Sequence, residues 1–138
     1  MNMQHGLSPE HSEWLENERG LSVDVCNRFG LLSRGNEIGF PYFQKGALSF
    51  VKWRKLDKSS MRIAPPGVSL IPFNIDELSE AEGTGQSLVI SEGEFDCMAI
   101  AHTAIHAISV PNGAPDRPGE GDINPGTART ICCVACHR

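Results

Sequence analysis

The stretch that decides the fold is residues 88–100, which read LVISEGEFDCMAI. In this stretch an apolar run is followed by Gly93 and then by a helical pattern. This order predicts a buried strand, a tight turn and a helix. Glu92 then stands at the carboxyl end of the strand. Glu94 and Asp96 fall in the first helical turn, where the helix dipole favours negative charge. Because open α/β sheets bind ligands beyond the carboxyl ends of their strands, this edge is the predicted site.

The spacing of these carboxylates leaves two interpretations open. Acidic residues in a first helical turn are common, and Glu92 can be a solvated loop residue. Clustered oxygen ligands also suit Mg²⁺, which usually takes one or two carboxylates together with substrate phosphates. Glu92, Glu94 and Asp96 are therefore candidate Mg²⁺ ligands, and Gly93 is the residue that lets the chain turn there.

Residues 107–110, AISV, predict the next strand, and the intervening helix makes it parallel to the first. Asn112 and Gly113 then form a turn at the same edge as Glu92. Asn112 can contact a nucleotide phosphate or simply shape the turn, and the turn alone is the favoured role.

The amino-terminal part predicts two short helices. Ser8, followed by a proline, begins the first, which ends at Gly20. Ser22 begins the second, which ends at Gly30. A DNA-binding helix-turn-helix is one interpretation, but the second helix is short and carries Arg28 as its contact candidate, so a packing role is favoured.

Residues 37–63 predict a small antiparallel β region with much of the positive charge. Pro41 cannot donate to a strand ladder, which indicates that its strand lies at a sheet edge. The region is either a solvated hairpin that protects an edge, or a phosphate-facing surface on which Trp53 stacks a base. The candidate nucleic-acid contacts are Lys45, Lys52, Trp53, Arg54, Lys55, Lys58 and Arg62.

Charge is unevenly distributed along the 138 residues. The net charge of −5 does not indicate a general nucleic-acid binder, but residues 45–62 hold six basic residues against Asp57 alone, and 63–115 hold no Lys or Arg. A basic patch before an acidic site is typical where a polyanion, a metal and a nucleotide meet. With no apolar run of membrane-spanning length, no signal-peptide core and no disulfide pattern, the sequence predicts a cytoplasmic protein without a membrane partner.

Two blocks of sequence resemble a known family. Residues 89–96, VISEGEFD, are similar to the first motif of TOPRIM domains, in the version of the phage-type bifunctional primase–helicases and their mitochondrial helicase relative. Residues 109–114, SVPNGA, continue the similarity after the second strand. With weaker similarities nearer the amino terminus, the resemblance covers residues 10–118.

The resemblance implies an α/β protein. Residues 1–85 would form an α+β amino-terminal primase subdomain, 86–125 the first half of a TOPRIM Rossmann-like parallel sheet, and 126–138 an atypical tail. It also implies a DNA primase that makes RNA primers on single-stranded DNA from ribonucleoside triphosphates, by Mg²⁺-dependent nucleotidyl transfer. A helicase domain would accompany it in the full-length parent. Glu92 would be the catalytic acid–base or metal-organising group, and the basic subdomain would face template and nucleotide.

The carboxyl end departs from the family pattern. TOPRIM catalysis needs an Asp-x-Asp motif at the end of a later strand, and the sequence has none on a predicted strand. We therefore expect a sheet with an unpaired edge, a frameshifted or prematurely ended tail from about Gly126, and no activity of the chain alone. Cys132 or Cys133 with Cys136 and His137 are zinc-type ligands, but a single cluster without a second pair argues against zinc.

Three functions remain open from the sequence. The first is a fragment of a primase with its nucleotidyl-transfer chemistry. The second is a non-catalytic module that binds single-stranded DNA through the basic hairpin. The third is a TOPRIM nuclease or a topoisomerase-like piece. The basic region ahead of residues 89–96 favours a primase over the third function.

Overall fold

The computed structural model describes residues 6–110 and 131–133 of the chain. Two capped helices come first, as the sequence predicts. Helix α1 (Pro9–Arg19) begins at Ser8, whose Oγ accepts the backbone N–H of His11 at 3.2 Å, and it ends at Gly20, which has a φ of 67°. Helix α2 (Val23–Arg28) begins at Ser22, whose side chain accepts the N–H of Val25.

A four-stranded sheet follows the helices. Its strands are β1 (Leu32–Arg34), β2 (Glu37–Gln44), β3 (Ala47–Lys55) and β4 (Met61–Ala64), and they lie side by side in chain order. The rings of Tyr42 and Phe50 stack at 4.4 Å, and with Phe40 they are almost completely buried. These aromatic side chains, together with buried residues of α1 and α2 such as Leu15 and Cys26, form the apolar interior of this part.

The prediction that β2 is an edge strand is wrong. Strand β2 lies between β1 and β3. Because β1 is three residues long and pairs with Glu37, Ile38 and Gly39, Pro41 lies beyond the end of β1. The missing N–H of Pro41 therefore does not interrupt the pairing of β1 with β2.

A second, parallel sheet carries residues 88–100. It contains β5 (Leu88–Ser91), β6 (His106–Ser109) and β7 (Ile131–Cys133), with β5 in the middle. Helix α4 (Glu94–His102) connects β5 to β6, and helix α3 (Asp76–Thr84) precedes β5. Ala81 of α3 is buried in one cluster with Leu88 and Ile108 of the sheet. The predicted α/β class, with an antiparallel β region before a parallel β–α–β unit, is confirmed.

The parallel sheet has one strand more than the sequence predicts. Strand β7 pairs in parallel with β5, so that Leu88 is opposite Ile131 and Ile90 is opposite Cys133. Backbone groups of residues 131–133 therefore continue the ladder beside β5, and β7 is an outer strand of the sheet. The other residues of the tail from 126 to 138 lie outside the described residues, as do Asn112 and Gly113.

The described residues form two compact units. One comprises residues up to 42 and 48–68, and the other comprises 43–47 and the residues from 69 onward. The main part of the second unit begins at residue 69, because α3 packs against the parallel sheet. The sequence predicts a domain boundary after residue 85 instead. No helix within the described part is long and apolar enough to cross a membrane.

Candidate functional site

The carboxyl edge of the parallel sheet is shaped by Ser91, the last residue of β5. Its side chain is buried, and its Oγ donates to the carbonyl oxygen of Gly93 at 3.1 Å and approaches that of Ile108 at 3.4 Å. The N–H of Val110 in turn donates to the Ser91 carbonyl at 3.3 Å. These bonds fix the turn that carries Glu92, directly after the central strand.

The three predicted carboxylates differ in their surroundings. Glu94 opens α4 and is 3% exposed, whereas Glu92 and Asp96 are half-buried. Residues two apart on a helix do not face each other, so Glu94 and Asp96 point to different sides of α4. Among residues 6–110, whose side chains the structure describes, no three Asp, Glu, His or Cys side chains gather closely enough to hold a metal ion. The described residues therefore do not bring Glu92, Glu94 and Asp96 together as one metal-binding group.

The donor chemistry of this edge nevertheless suits Mg²⁺. The ion prefers oxygen ligands and commonly takes only one or two protein carboxylates, with phosphates and waters completing its shell. Glu92 follows the strand end directly and is the half-buried carboxylate best placed to be such a ligand. Gly93 has an extended φ of −134° and gives α4 no side-chain cap, so the first helical N–H groups are not bonded by a capping side chain.

An unpaired hydroxyl lies at the same edge. Ser109 ends β6 in register with Ser91, and its backbone bonds Phe73 in both directions at 2.8 and 3.1 Å. Within the part of the chain that the structure describes, its Oγ is the buried side-chain polar atom without a hydrogen-bond partner. Such a group is rare in folded proteins. Because Ser109 is 0% exposed, its hydroxyl belongs to the interior beside this edge and not to the surface that a ligand would contact.

The cysteine of helix α4, Cys97, has a structural role. Cys97 of α4 is completely buried, and its Sγ donates to the carbonyl of Ala107 at 3.4 Å. Burial raises the pKa of this thiol, and the negative charges of Glu94, Glu77 and Asp96 raise it further. Because only the thiolate is nucleophilic, Cys97 is a packing residue and not a covalent catalyst. Burial likewise raises the pKa of Cys26 to about 11, and both cysteines are core residues.

The structure removes Trp53 and Lys52 from the predicted nucleic-acid surface. Trp53 is 5% exposed, and a Cβ on Gly39 would lie only 2.8 Å from its ring. The guanidinium groups of Arg34 and Arg62 lie 4.4 and 5.5 Å from the ring centre. The prediction that Trp53 stacks a base is wrong, because its ring is already packed. Lys52 is 7% exposed and does not present an open ammonium group to phosphates.

The other predicted basic residues keep some exposure. Arg62 is exposed and donates to Glu37 at 2.9 Å, Arg54 and Lys55 are half-buried, and Lys58 is exposed in the turn after β3. Asp57 lies in that same turn. The Ser59 hydroxyl and backbone N–H lower the pKa of Asp57, so one negative charge stays among the lysines. Arg34 was missed because it lies on β1, outside residues 45–62, and only the register of the sheet brings it over Trp53.

Lys45 has a different environment from the other basic residues. It lies at the turn between β2 and β3 with a φ of 54°, and the turn belongs to the same compact unit as the parallel sheet. The backbone N–H groups of Lys45 and Gly46 donate to the Asp76 carboxylate at 2.7 and 3.0 Å. Its side chain is exposed, so Lys45 remains a candidate phosphate contact apart from the residues around Lys55.

Comparison with solved structures shows a similarity over nearly the whole chain. The crystal structure of the Aquifex aeolicus primase, comprising its zinc-binding and RNA polymerase domains, matches with a TM-score of 0.59 at 16% sequence identity. The match covers 95% of this chain and 37% of that one. The fold is primase-like. No family model matches the chain, and no curated protein matches its sequence.

Proposed function

We propose that this chain is a module of a DNA primase of the TOPRIM type, related to the phage-type primase–helicases, which makes RNA primers on single-stranded DNA in the cytoplasm of a bacterial or phage-infected cell. The observation that carries the proposal is the joint occurrence of a primase-like fold over 95% of the chain and of Glu92 directly after the central parallel strand. Because the chain spans 37% of the primase that it matches, the activity of a whole primase is itself part of the proposal.

In the proposed reaction, the 3′-hydroxyl of the growing primer attacks the α-phosphate of a ribonucleoside triphosphate, and pyrophosphate leaves. Glu92 would hold Mg²⁺ or take the proton of the attacking hydroxyl. When bound, Mg²⁺ stabilises the charge on the attacking and leaving oxygens. The N–H groups of the first turn of α4 would bind phosphate oxygens of the nucleotide. The resemblance implies that carboxylates of an Asp-x-Asp strand complete this site beside Glu92.

The test of the proposed activity is incorporation of labelled ribonucleotides on a single-stranded DNA template, measured with the complete gene product and Mg²⁺. A primase yields short RNA products that depend on the template and on all four ribonucleotides. A helicase domain linked to the module, as in the phage-type family, would increase primer yield on long templates. Cleavage of the template would instead identify a nuclease, and breakage and rejoining of DNA without RNA products would identify a topoisomerase-like activity.

Binding of the DNA template is the second part of the proposal. Lys55 and Lys58 lie at and after the end of β3, and Arg54 and Arg62 belong to the same hairpin. We expect the double variant Lys55→Gln, Lys58→Gln to weaken binding of a fluorescent oligo-dT. The slope of its plot of log affinity against log salt concentration should become less negative by about 1.4. Each lost phosphate contact removes about 0.7 from the magnitude of this slope on single strands. Fluorescence anisotropy at several salt concentrations measures both effects.

The matched control for this prediction removes the same charge elsewhere. Arg19 and Arg28 end α1 and α2, and each guanidinium lies within 6 Å of a neighbouring aromatic ring. Changing both to Gln also removes two positive charges but should leave the salt slope unchanged. An equal change of slope in the two double variants would mean that only the net charge matters. An unchanged slope for Lys55 and Lys58 would identify the hairpin as a solvated sheet edge.

A non-catalytic module that binds single-stranded DNA is the second candidate function. The observation that favours it is the basic hairpin, in which Lys58 and Arg62 are exposed. Such a module would bind oligo-dT with the salt dependence described above but would give no primer with the complete gene product. Primer synthesis that requires Glu92 would therefore exclude this alternative.

A further inference from the structure

Two arginines from the outer strands of the antiparallel sheet converge on the ring of Trp53. Arg34 of β1 is opposite Glu37 in the strand register, and Arg62 of β4 is opposite Trp53. Directly opposite residues point to the same face of a sheet. Gly39, two residues after Glu37, shares the face of Glu37, and a Cβ on it would touch the Trp53 ring. All of these side chains therefore lie on one face of the sheet.

The Trp53 ring holds both guanidinium groups in place. The ring is 5% exposed and forms a fixed surface, and the guanidinium carbons of Arg34 and Arg62 lie 4.4 and 5.5 Å from its centre. A planar guanidinium is attracted to the face of an indole ring by the ring quadrupole. Both arginine residues are nevertheless exposed, so a ligand can reach their N–H groups.

The charges in this cluster do not balance. The carboxylate of Glu37 accepts a bond from Arg62 at 2.9 Å, although Arg34 is the register partner of Glu37. Within the part of the chain that the structure describes, the Arg34 guanidinium makes no ion pair or hydrogen bond. Two like charges beside one ring repel each other, and a single carboxylate neutralises only one of them. The cluster therefore has the positive charge and the N–H donors that bind an anion.

The arginine pair, Arg34 and Arg62, lies on the same face as part of the basic hairpin. Lys55 follows Trp53 by two residues on β3, so its side chain points to the face of the arginine pair. Since neighbouring strands lie about 4.8 Å apart, the row from β1 to β4 is about 14 Å wide. One extended strand of nucleic acid can place several phosphates along such a row.

We propose that the arginine pair binds phosphates of the single-stranded DNA template, and that Trp53 is a positioning residue for both guanidinium groups. This inference rests on the proposed function and extends the template path from the hairpin to β1. Each guanidinium presents a planar fork of N–H donors that matches two oxygens of a phosphate. A phosphate also supplies the negative charge that Arg34 lacks.

The first test measures the binding of fluorescent oligo-dT to Arg34→Gln and Arg34→Lys at several salt concentrations. Arg34→Gln should bind about tenfold more weakly, the size expected for one lost hydrogen-bonded charge. The slope of log affinity against log salt concentration should become less negative by about 0.7, the value for one phosphate contact on single strands. Arg34→Lys keeps the charge but not the planar fork, so it should keep the slope and still bind at least about threefold more weakly.

The second test separates positioning by Trp53 from packing. Trp53→Phe keeps an aromatic surface and should bind oligo-dT within about threefold of the unaltered protein, whereas Trp53→Leu should bind about tenfold more weakly. In an Arg34→Gln background, Trp53→Leu should weaken binding less, because one of the two groups that the ring positions is gone. A loss of the same size in both backgrounds would overturn the positioning role. Circular dichroism checks that each variant is folded.

The matched control is Arg19→Gln. Arg19 also lies beside a tryptophan, 5.8 Å from the centre of the Trp14 ring, but it ends helix α1. The control should leave the salt slope unchanged, so an equal change for Arg19→Gln and Arg34→Gln would mean that only the net charge matters. That result would overturn the proposal, as would an unchanged slope for Arg34→Gln.

Two further ligands test the class of anion. A fluorescent ATP analogue should bind Arg34→Gln as tightly as the unaltered protein, and polyglutamate of the same length should displace oligo-dT poorly. Weaker ATP binding with unchanged oligo-dT binding would assign the pair to a nucleotide triphosphate, and displacement by polyglutamate as effective as that by unlabelled oligo-dT would assign it to an acidic peptide. Either result would overturn the proposal.

Failure of this inference can be distinguished from failure of the proposed function. If Lys55→Gln, Lys58→Gln changes the salt slope but Arg34→Gln does not, the template binds the hairpin alone and only the inference fails. If the unaltered protein does not bind oligo-dT, the proposed template binding fails together with the inference.

Discussion

Glu92→Gln is expected to lower templated primer synthesis by about 100-fold or more while the protein stays folded. The change keeps the size of the side chain and removes the charge that would bind Mg²⁺ or accept a proton, and general acid–base groups contribute about 10²–10⁴ in rate. Glu92 is half-buried after β5, and Ser91 holds the turn around it, so we expect the variant to keep this turn. The measurement is the initial rate of labelled ribonucleotide incorporation by the complete gene product.

The control for this variant is Glu80→Gln, which removes one exposed carboxylate from α3. It should leave the rate unchanged, because Glu80 lies away from the carboxyl edge of the sheet. Affinity for single-stranded DNA should be the same for both variants, so that the loss is one of catalysis and not of template binding. A rate for Glu92→Gln within about threefold of the unaltered protein would remove Glu92 from the chemistry.

Gly39→Ala is expected to destabilise the first compact unit by about 1–3 kcal/mol, the usual cost of overpacking a core. The added Cβ would lie 2.8–2.9 Å from three carbon atoms of the Trp53 ring, closer than carbon atoms can approach. The ring is 5% exposed and has the Arg34 guanidinium 4.4 Å from its centre, so it has little room to move. Urea unfolding followed by circular dichroism measures the loss in every variant of the series.

Gly83→Ala is the matched control and should have the opposite sign. Gly83 lies inside α3, and a Cβ there would meet no atom within 4 Å. Alanine should therefore stabilise this helix by about 0.5–1 kcal/mol through its better helix propensity. In a Trp53→Leu background, Gly39→Ala should cost less than in the unaltered protein, because the smaller side chain removes the clash. If Gly39→Ala is neutral and the double variant merely additive, Trp53 does not pack on Gly39 as described.

Local sequence signals were sufficient for the elements around the carboxyl edge. The apolar run before Ser91 and the glycine after Glu92 predicted a strand, a turn and a helix, and the structure has β5, a turn and α4 at these positions. Helix-capping residues also predicted where helices begin, since Ser8 and Ser22 begin α1 and α2 as expected. Side-chain oxygens that accept helix N–H groups act within one turn of chain, so they can be recognised without knowledge of the fold.

Strand neighbours could not be predicted from the same signals. Pro41 suggested an edge strand because the sequence does not show that β1 ends before it reaches this residue. Residues 131–133 carried no turn or periodicity signal, and their place beside β5 depends on pairing across the sheet. In each case a distant partner determined the outcome.

The candidate nucleic-acid residues show the same limit. Charge alone grouped Lys52 and Trp53 with Lys55 and Lys58, but the sheet buries the first two and leaves the others partly or fully exposed. Alternation along β3 predicted that Lys52 and Trp53 point to opposite faces. It did not show that both faces are covered at this point.

The central claim, that Glu92 marks a metal-dependent site at the carboxyl edge of the parallel sheet, is tested most directly with Mn²⁺ as a paramagnetic substitute for Mg²⁺. Amide NMR signals are recorded while substoichiometric Mn²⁺ is added, and the variant Glu92→Gln serves as control. The account predicts that the signals of Ser91, Glu92, Gly93 and Val110 broaden first and that Glu92→Gln abolishes this selectivity. First broadening at Glu10, Glu13 and Glu18 of α1, or selective broadening at the edge that persists in Glu92→Gln, would contradict it.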